Sequence, residues 1–254
     1  MSIPGVNIPD IVLLLAAFVA GAQNALAGGG SFLTFPALLF AGFDPRAANI
    51  TSTLGLFPGQ VTSSLAGLNM VEGAAGLSLR TLFITSIVGG AVGAMLLLET
   101  PVSVFTHLVP FLVLFATATF AWGSFFAKKR TKDAPTKISP RSALIAQALI
   151  SVYGGYFGGG IGILMLAALT AAGLSVRHAG ATKNVLAGVI NVAAVVIFIL
   201  RTHQNWWIIV PFAISAMIGG QIGVYMLRRL NEKVLRVGIT AIGAMLTVGL
   251  FLHS

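Results

Sequence analysis

Two uncharged runs, each 32 residues long and each broken near its middle by three consecutive glycines, constrain this chain more than any other feature. The first extends from Ile11 to Gly42 around Gly28-Gly29-Gly30, the second from Ser142 to Gly173 around Gly158-Gly159-Gly160. An unbroken helix of that length would measure about 48 Å at about 1.5 Å per residue, against a hydrocarbon core of about 30 Å. Three glycines in a row interrupt a helix, because each costs backbone entropy and offers no side chain to pack. Inside a bilayer the freed N–H and C=O groups must be satisfied, so such a break persists only where it lines a cavity or is buried in protein. The pattern predicts two helical hairpins whose tips form the walls of one site.

The bilayer itself follows from composition. The chain is 57% hydrophobic and 8% charged, where a soluble domain carries about 25% charged residues. Its apolar runs are continuous rather than alternating, which favours helices over a β-barrel. Besides the two broken runs, spans are predicted at 47–70, 81–98 and 102–127, then at 179–200, 206–227 and 234–252. A hydrophilic linker at 128–140, opening Lys128-Lys129-Arg130, divides the halves. The net charge is +9, but the basic residues cluster between apolar runs. They set topology and imply no nucleic-acid partner. Absence of Cys excludes disulfides, thiolate metal sites and Cys nucleophiles. No basic residue precedes the first apolar run, so no cleavable signal peptide is expected.

The halves, 1–127 and 141–254, are repeats. At an offset of 131, Gly28 and Gly29 fall on Gly159 and Gly160, Gly42 on Gly173, Arg46 on Arg177, Ala48 on Ala179 and Thr51 on Thr182. At an offset of 130, Gly89, Gly90 and Gly93 fall on Gly219, Gly220 and Gly223. Charge then chooses between parallel and inverted halves. With the linker cytoplasmic, full crossing by both broken runs leaves 8 of the 15 basic residues inside, whereas hairpins leave 13. The positive-inside rule selects hairpins. One hairpin plus three crossings per half turns the second half upside down. The predicted fold is an all-α polytopic membrane protein built as an inverted-topology repeat, each half one Gly-broken re-entrant helical hairpin plus three transmembrane helices. Both termini are expected outside. Broken helices that meet near the midplane of inverted repeats are characteristic of secondary transporters.

Each break starts a new half-helix, at Ser31 and near Ile161, whose first N–H groups have no intrahelical partner and carry partial positive charge. Two such N-termini facing each other bind an anion without a charged side chain. Ser31 either caps its own half-helix or donates to an oxyanion. All six acidic residues lie at run ends or in turns, which argues against a cation as substrate. Lys183 has two readings. It snorkels to the cytoplasmic surface, the commoner fate of such a Lys, or it turns inward and supplies positive charge. Asn49, Thr51, Ser52 and Thr53 crowd the equivalent span of the first half, as Thr182 and Asn184 flank Lys183, and imply a face toward a wet cavity. The expected substrate-binding set is Gly28, Gly29, Gly30, Ser31, Asn49, Thr51, Ser52, Gly158, Gly159, Gly160, Thr182, Lys183 and Asn184, with Arg46 and Arg177 at vestibules. His107 and His178 are candidate carriers of a coupling proton. Trp206 and Trp207 read as an interfacial belt.

Gly28-Gly29-Gly30, then Pro36, Gly42, Ala48 and Thr51-Ser52, with a degenerate echo in the second half, resemble the sulfite exporter TauE/SafE family over essentially the whole chain. The resemblance implies a bacterial inner-membrane carrier exporting sulfite or small organosulfonates. The second half departs from the first, with Thr182-Lys183 opposite Thr51-Ser52 and Ala167 opposite Pro36, so the two sides of the site are unequal. The expected function is a secondary transporter for a small anion, with periplasmic termini, a cytoplasmic linker, no cofactor, no metal and no enzymatic activity. Its partners are the anion and the lipid bilayer, and a homodimer is compatible with the sequence. The rival readings are a small-anion channel and an intramembrane hydrolase with Ser31 as nucleophile.

Overall fold

A computed structural model describes residues 8–26, 29–65, 68–126, 138–227 and 232–253. Gly28 and linker residues 128–137 lie outside the described residues. The described chain is helical: α1 (Ile8–Leu26), α2 (Ser31–Phe40), α3 (Pro45–Leu65), α4 (Leu79–Glu99), α5 (Val102–Ala121), α6 (Pro140–Tyr156), α7 (Ile161–Ala171), α8 (Val176–Arg201), α9 (Trp206–Leu227) and α10 (Glu232–His253). Side-chain caps fix three of the starts. The hydroxyls of Ser78, Ser139 and Ser175 accept from the N–H groups of Thr81, Ser142 and His178 at 3.1, 3.1 and 3.3 Å, beginning α4, α6 and α8. Pro140, at the first turn of α6, gives up an N–H that would have no partner there.

Among the described residues α4, α5 and α8 are long and apolar enough to cross a bilayer. The 21-residue α3 is as long as α4 but carries Asn49, Thr51, Ser52, Thr53, Gln60 and Thr62 along its length. Large apolar side chains stand outward on α5, α6, α8 and α10, among them Phe111, Leu149, Leu200 and Met245, which are 59%, 67%, 76% and 66% exposed. In water a surface of that kind would associate, whereas lipid is its natural solvent.

Glycines set the closest approaches and reveal the run of the helices. A Cβ on Gly219 of α9 would lie 1.9 Å from the carbonyl oxygen of Phe18 in α1, and one on Gly21 would lie 1.9 Å from that of Ala216. Together with the bond from Ser215 Oγ to the Leu14 carbonyl (2.7 Å), these contacts make α1 and α9 parallel. Gly55 and Gly59 of α3 approach Phe212 and Ala216, so α3 runs parallel to α9 as well. Since α1 and α3 share a direction, α2 between them returns.

The other half is organised the same way. Gly89 and Gly93 of α4 pack on Ser151 and Val152 of α6, and Gln147 Nε2 donates to Ser86 Oγ at 2.8 Å, a parallel pair. α4 also runs parallel to α8, since Gly90 meets Ile190 and Leu98 and Glu99 share a groove with Leu200 and Arg201. Helices at equivalent places in the two halves are antiparallel to each other. In α3 and α8, Ser64 bonds Asn184 while Gln60 bonds Asn191. In α5 and α10, Thr117 lies against Gly243 and Phe111 stacks edge-on to Phe251. Thus α4 of the first half is wedded to the broken run of the second, and α9 of the second to the broken run of the first.

Candidate functional site

Both glycine breaks are held open by side chains of the helices that lead into them. At the first, Gln23 Nε2 donates to the Gly29 carbonyl at 3.0 Å and the Gly30 N–H donates to Asn24 Oδ1 at 3.4 Å. At the second, the Tyr153 hydroxyl donates to the Gly159 carbonyl at 2.8 Å. Asn49 Nδ2, from α3, donates to the Tyr156 carbonyl at the end of α6 at 2.9 Å. Gly29 and Gly160, equivalent positions, have φ of +87° and +76°, left-handed values that exclude most side chains. The glycines therefore turn the chain, and the turn delivers the first residues of α2 and α7 to the same place.

That place is a cavity of about 60 Å³. α3 contributes Ser52, Thr53, Leu56 and Gln60, and α8 contributes Lys183, Asn184, Ala187 and Asn191. The two sets are equivalent position by position at the offset of 131, and each follows one face of its helix at spacings i, i+1, i+4, i+8. The breaks close the cavity with Asn24, Gly29 and Ser31 from one side and Phe157, Gly158, Ile161 and Gly162 from the other. Ser31 and Gly162 are themselves equivalent and lie in the first turns of α2 and α7. Among the described residues neither of their N–H groups meets an acceptor, and the first turn of each helix borders this space.

The lining holds one cationic side chain and no carboxylate. Lys183 is 7% exposed and turns into the cavity rather than reaching for the membrane surface. It makes no ion pair or hydrogen bond among the described residues. Around it the lining offers the hydroxyls of Ser31, Ser52 and Thr53 and the amides of Asn24, Asn184, Asn191 and Gln60. Asn191 Nδ2 donates to Gln60 Oε1, which links equivalent residues of the two halves at the cavity wall. Ser52 Oγ lies 2.7 Å from Thr34 Oγ1 and ties α3 to α2.

Of the residues singled out in the sequence, Gly29, Ser31, Ser52, Gly158, Lys183 and Asn184 meet at the cavity. Gly30 and Gly160 are buried and do not line it, and Gly159 faces a small apolar pocket that shares Ser31 and Phe157 with the cavity. Asn49 is spent on the second break, as described above. Thr51 is buried away from the cavity, and the Thr182 hydroxyl bonds the backbone of Glu72. Neither arginine lines it. Arg46 Nη1 donates to the carbonyls of Leu98 and Thr100 at 3.3 and 3.1 Å, closing the C-terminal end of α4, while Arg177 is exposed. Asn24, Gln60 and Asn191 join the lining from outside the expected substrate-binding set. Gln60 and Asn191 carried a usable signal, being polar residues one repeat apart.

Comparison with known proteins agrees over nearly the full length. The family described as Sulfite exporter TauE/SafE matches residues 13–250. The chain is similar to a "Probable membrane transporter protein" of Haemophilus influenzae, 28% identical over 241 residues that cover 93% of this chain and 92% of the relative. It is also similar to the "Probable membrane transporter protein YfcA" of Escherichia coli K12, 27% identical with 96% and 90% covered. A third relative is the "Probable membrane transporter protein ORF9" of Sinorhizobium sp, 29% identical with 94% and 90% covered.

Proposed function

The chain belongs to the sulfite exporter TauE/SafE family of membrane transporters, and from that premise we propose that it is a secondary transporter for a small oxyanion, sulfite or a small organosulfonate, bound between the two glycine breaks. The observation that carries the reading is the lining itself: one buried ammonium with no partner among the described residues, hydroxyl and amide groups around it, two helix N-termini and no carboxylate. Such a lining is costly for a cation and favourable for an anion.

An inverted-topology repeat with re-entrant hairpins fits this role. The return of α2 between parallel α1 and α3, and the antiparallel run of α3 against α8 and of α5 against α10, support it. In that arrangement the cavity lies where the halves meet, and rocking of one half against the other exposes it to each side in turn. We place the protein in the bacterial inner membrane with its termini periplasmic and the 128–140 linker cytoplasmic, as charge bias directs.

The test is flux in proteoliposomes, with thermal shift of the purified protein against sulfite, sulfate, sulfoacetate, taurine and unrelated carboxylates. A bound substrate raises the unfolding temperature by mass action, and a carrier shows saturable uptake with counterflow. Flux that rises linearly with concentration and shows no counterflow would make the protein a channel. Stabilisation by carboxylates alone would remove the sulfur oxyanions from consideration.

A further inference from the structure

We propose that the groove between the C-terminal ends of α4 and α8 binds one zwitterionic phospholipid, phosphatidylethanolamine, with Arg201 holding its phosphate and Glu99 its ammonium. That these ends face the outer leaflet rests on the topology proposed above. The site itself rests on the groove.

The two helices finish alike. Thr100 and Thr202 follow their last residues, and each turns both its N–H and its hydroxyl back to a carbonyl one turn earlier. The acceptor is Leu96 for α4, at 2.9 and 2.6 Å, and Phe198 for α8, at 3.0 and 2.7 Å. Gly90 meets Ile190 where the helices pack. Glu99 is nine residues past the one and Arg201 eleven past the other, so at about 1.5 Å per residue the two stand within about 3 Å of the same height. The 21 residues of α4 make a helix about 32 Å long, against a hydrocarbon core of about 30 Å. Its last residue therefore reaches the headgroup layer, and Arg201 reaches it too.

Below the charges lies open apolar space. The groove measures about 210 Å³ and is walled by Met95 and Leu98 of α4 and by Ile197 and Leu200 of α8, with Glu99 and Arg201 as its last residues. Met95 and Leu200 are 49% and 76% exposed, so the groove opens toward lipid rather than into the bundle. Unfilled space beside such walls forfeits dispersion contacts. An acyl chain lying between the helices restores them.

Charge chooses the headgroup. Among the described residues neither Glu99 nor Arg201 makes a hydrogen bond or ion pair, with each other or with any other group. Arg201 stands in the last turn of α8, where a cation complements the helix dipole. Glu99 ends α4, where the same dipole disfavours a carboxylate. Arg46 Nη1 is committed to the carbonyls of Leu98 and Thr100 and does not line the groove. Arg201 alone would take any phosphate. The Glu99 carboxylate beside it repels a headgroup of net negative charge and favours one whose ammonium has N–H groups to donate. A quaternary ammonium carries the charge but has no N–H.

The test offers the purified full-length protein equal amounts of phosphatidylethanolamine, phosphatidylglycerol and phosphatidylcholine with the same acyl chains, and native mass spectrometry measures the lipid retained. All three carry the phosphate, so the comparison isolates the ammonium. Phosphatidylethanolamine should be retained about threefold to fivefold more than either of the others, the range that interfacial charge pairs support. Glu99→Gln should remove its advantage over phosphatidylglycerol, and Arg201→Gln should lower retention of all three by about fivefold. Ile197→Trp fills the groove with both charges intact and should also lower all three, whereas Arg177→Gln at the opposite ends of the helices should change nothing. Equal retention of the three lipids by the parent, or an unchanged lipid ranking in Glu99→Gln, overturns the proposal. So does parental retention by Ile197→Trp, which would place the lipid elsewhere. None of these readouts uses flux: a protein without anion transport but with this selectivity keeps the lipid site, and a working carrier without the selectivity loses only the site.

Discussion

Lys183→Met should move stability and function in opposite directions. The ammonium is 7% exposed and unpaired among the described residues, so the ligand-free protein bears a desolvation cost that an apolar side chain of similar length would relieve. A buried ion costs several kcal/mol even after relaxation. Because polar groups in the lining solvate part of the charge, the relief is about 1–3 kcal/mol. At about 2–4 °C per kcal/mol for a chain of this size, the unfolding temperature in detergent should rise by about 2–12 °C. Anion binding should weaken at the same time. Losing one hydrogen bond to a charged group costs about 1.5–3 kcal/mol, or about tenfold to a hundredfold in affinity. Lys183→Arg keeps the charge and should keep most of the binding. The assay pairs fluorescence-detected unfolding without ligand with a sulfite titration of the same preparation. If Lys183→Met melts lower than the parent and binds sulfite as well, the reading of the cavity as an anion site built around an unpaired cation is wrong.

Three further outcomes test the frame. Gly219→Ala and Gly93→Ala place a Cβ 1.9 and 2.1 Å from the carbonyl oxygens of Phe18 and Val152 and should each cost about 1–3 kcal/mol, whereas Gly180→Ala, with open space around it, should be neutral or gain up to about 1 kcal/mol from helix propensity; equal melting shifts for all three would refute the packing. Asn191→Leu strands the Gln60 amide and should cost about 1–3 kcal/mol, and adding Gln60→Leu should recover part of it, so strictly additive losses would show that the two do not interact. A Cys at Arg177 should label from the cytoplasmic side and one at Ser103 from the periplasmic side; the reverse at Arg177 alone would mean that the second broken run crosses the membrane.

The sequence made some of this site readable and hid the rest for identifiable reasons. Three adjacent glycines in an apolar run are readable because no ordinary helix tolerates them, and Gly29 and Gly160 do adopt left-handed φ. The offset of 131 was readable from Gly, Arg, Ala and Thr, yet it pairs the cavity positions better than the residues that disclosed it. Ser52 with Lys183 and Thr53 with Asn184 face inward, while Thr51 and Thr182 point elsewhere. Neighbours on a helix stand about 100° apart, so a polar cluster announces a wet face without saying which member looks into it. Arg46 was hidden for a different reason: its partners, the carbonyls of Leu98 and Thr100, are more than fifty residues away, and only the folded chain brings the end of α4 to the start of α3. The pairing also explains why one charge suffices. Two symmetric lysines would face each other across a cavity of about 60 Å³ and repel whenever no anion was present. A serine at position 52 opposite the lysine at 183 avoids that, at the expense of the symmetry that the glycines, the hydroxyl-and-amide lining and the two helix N-termini otherwise keep.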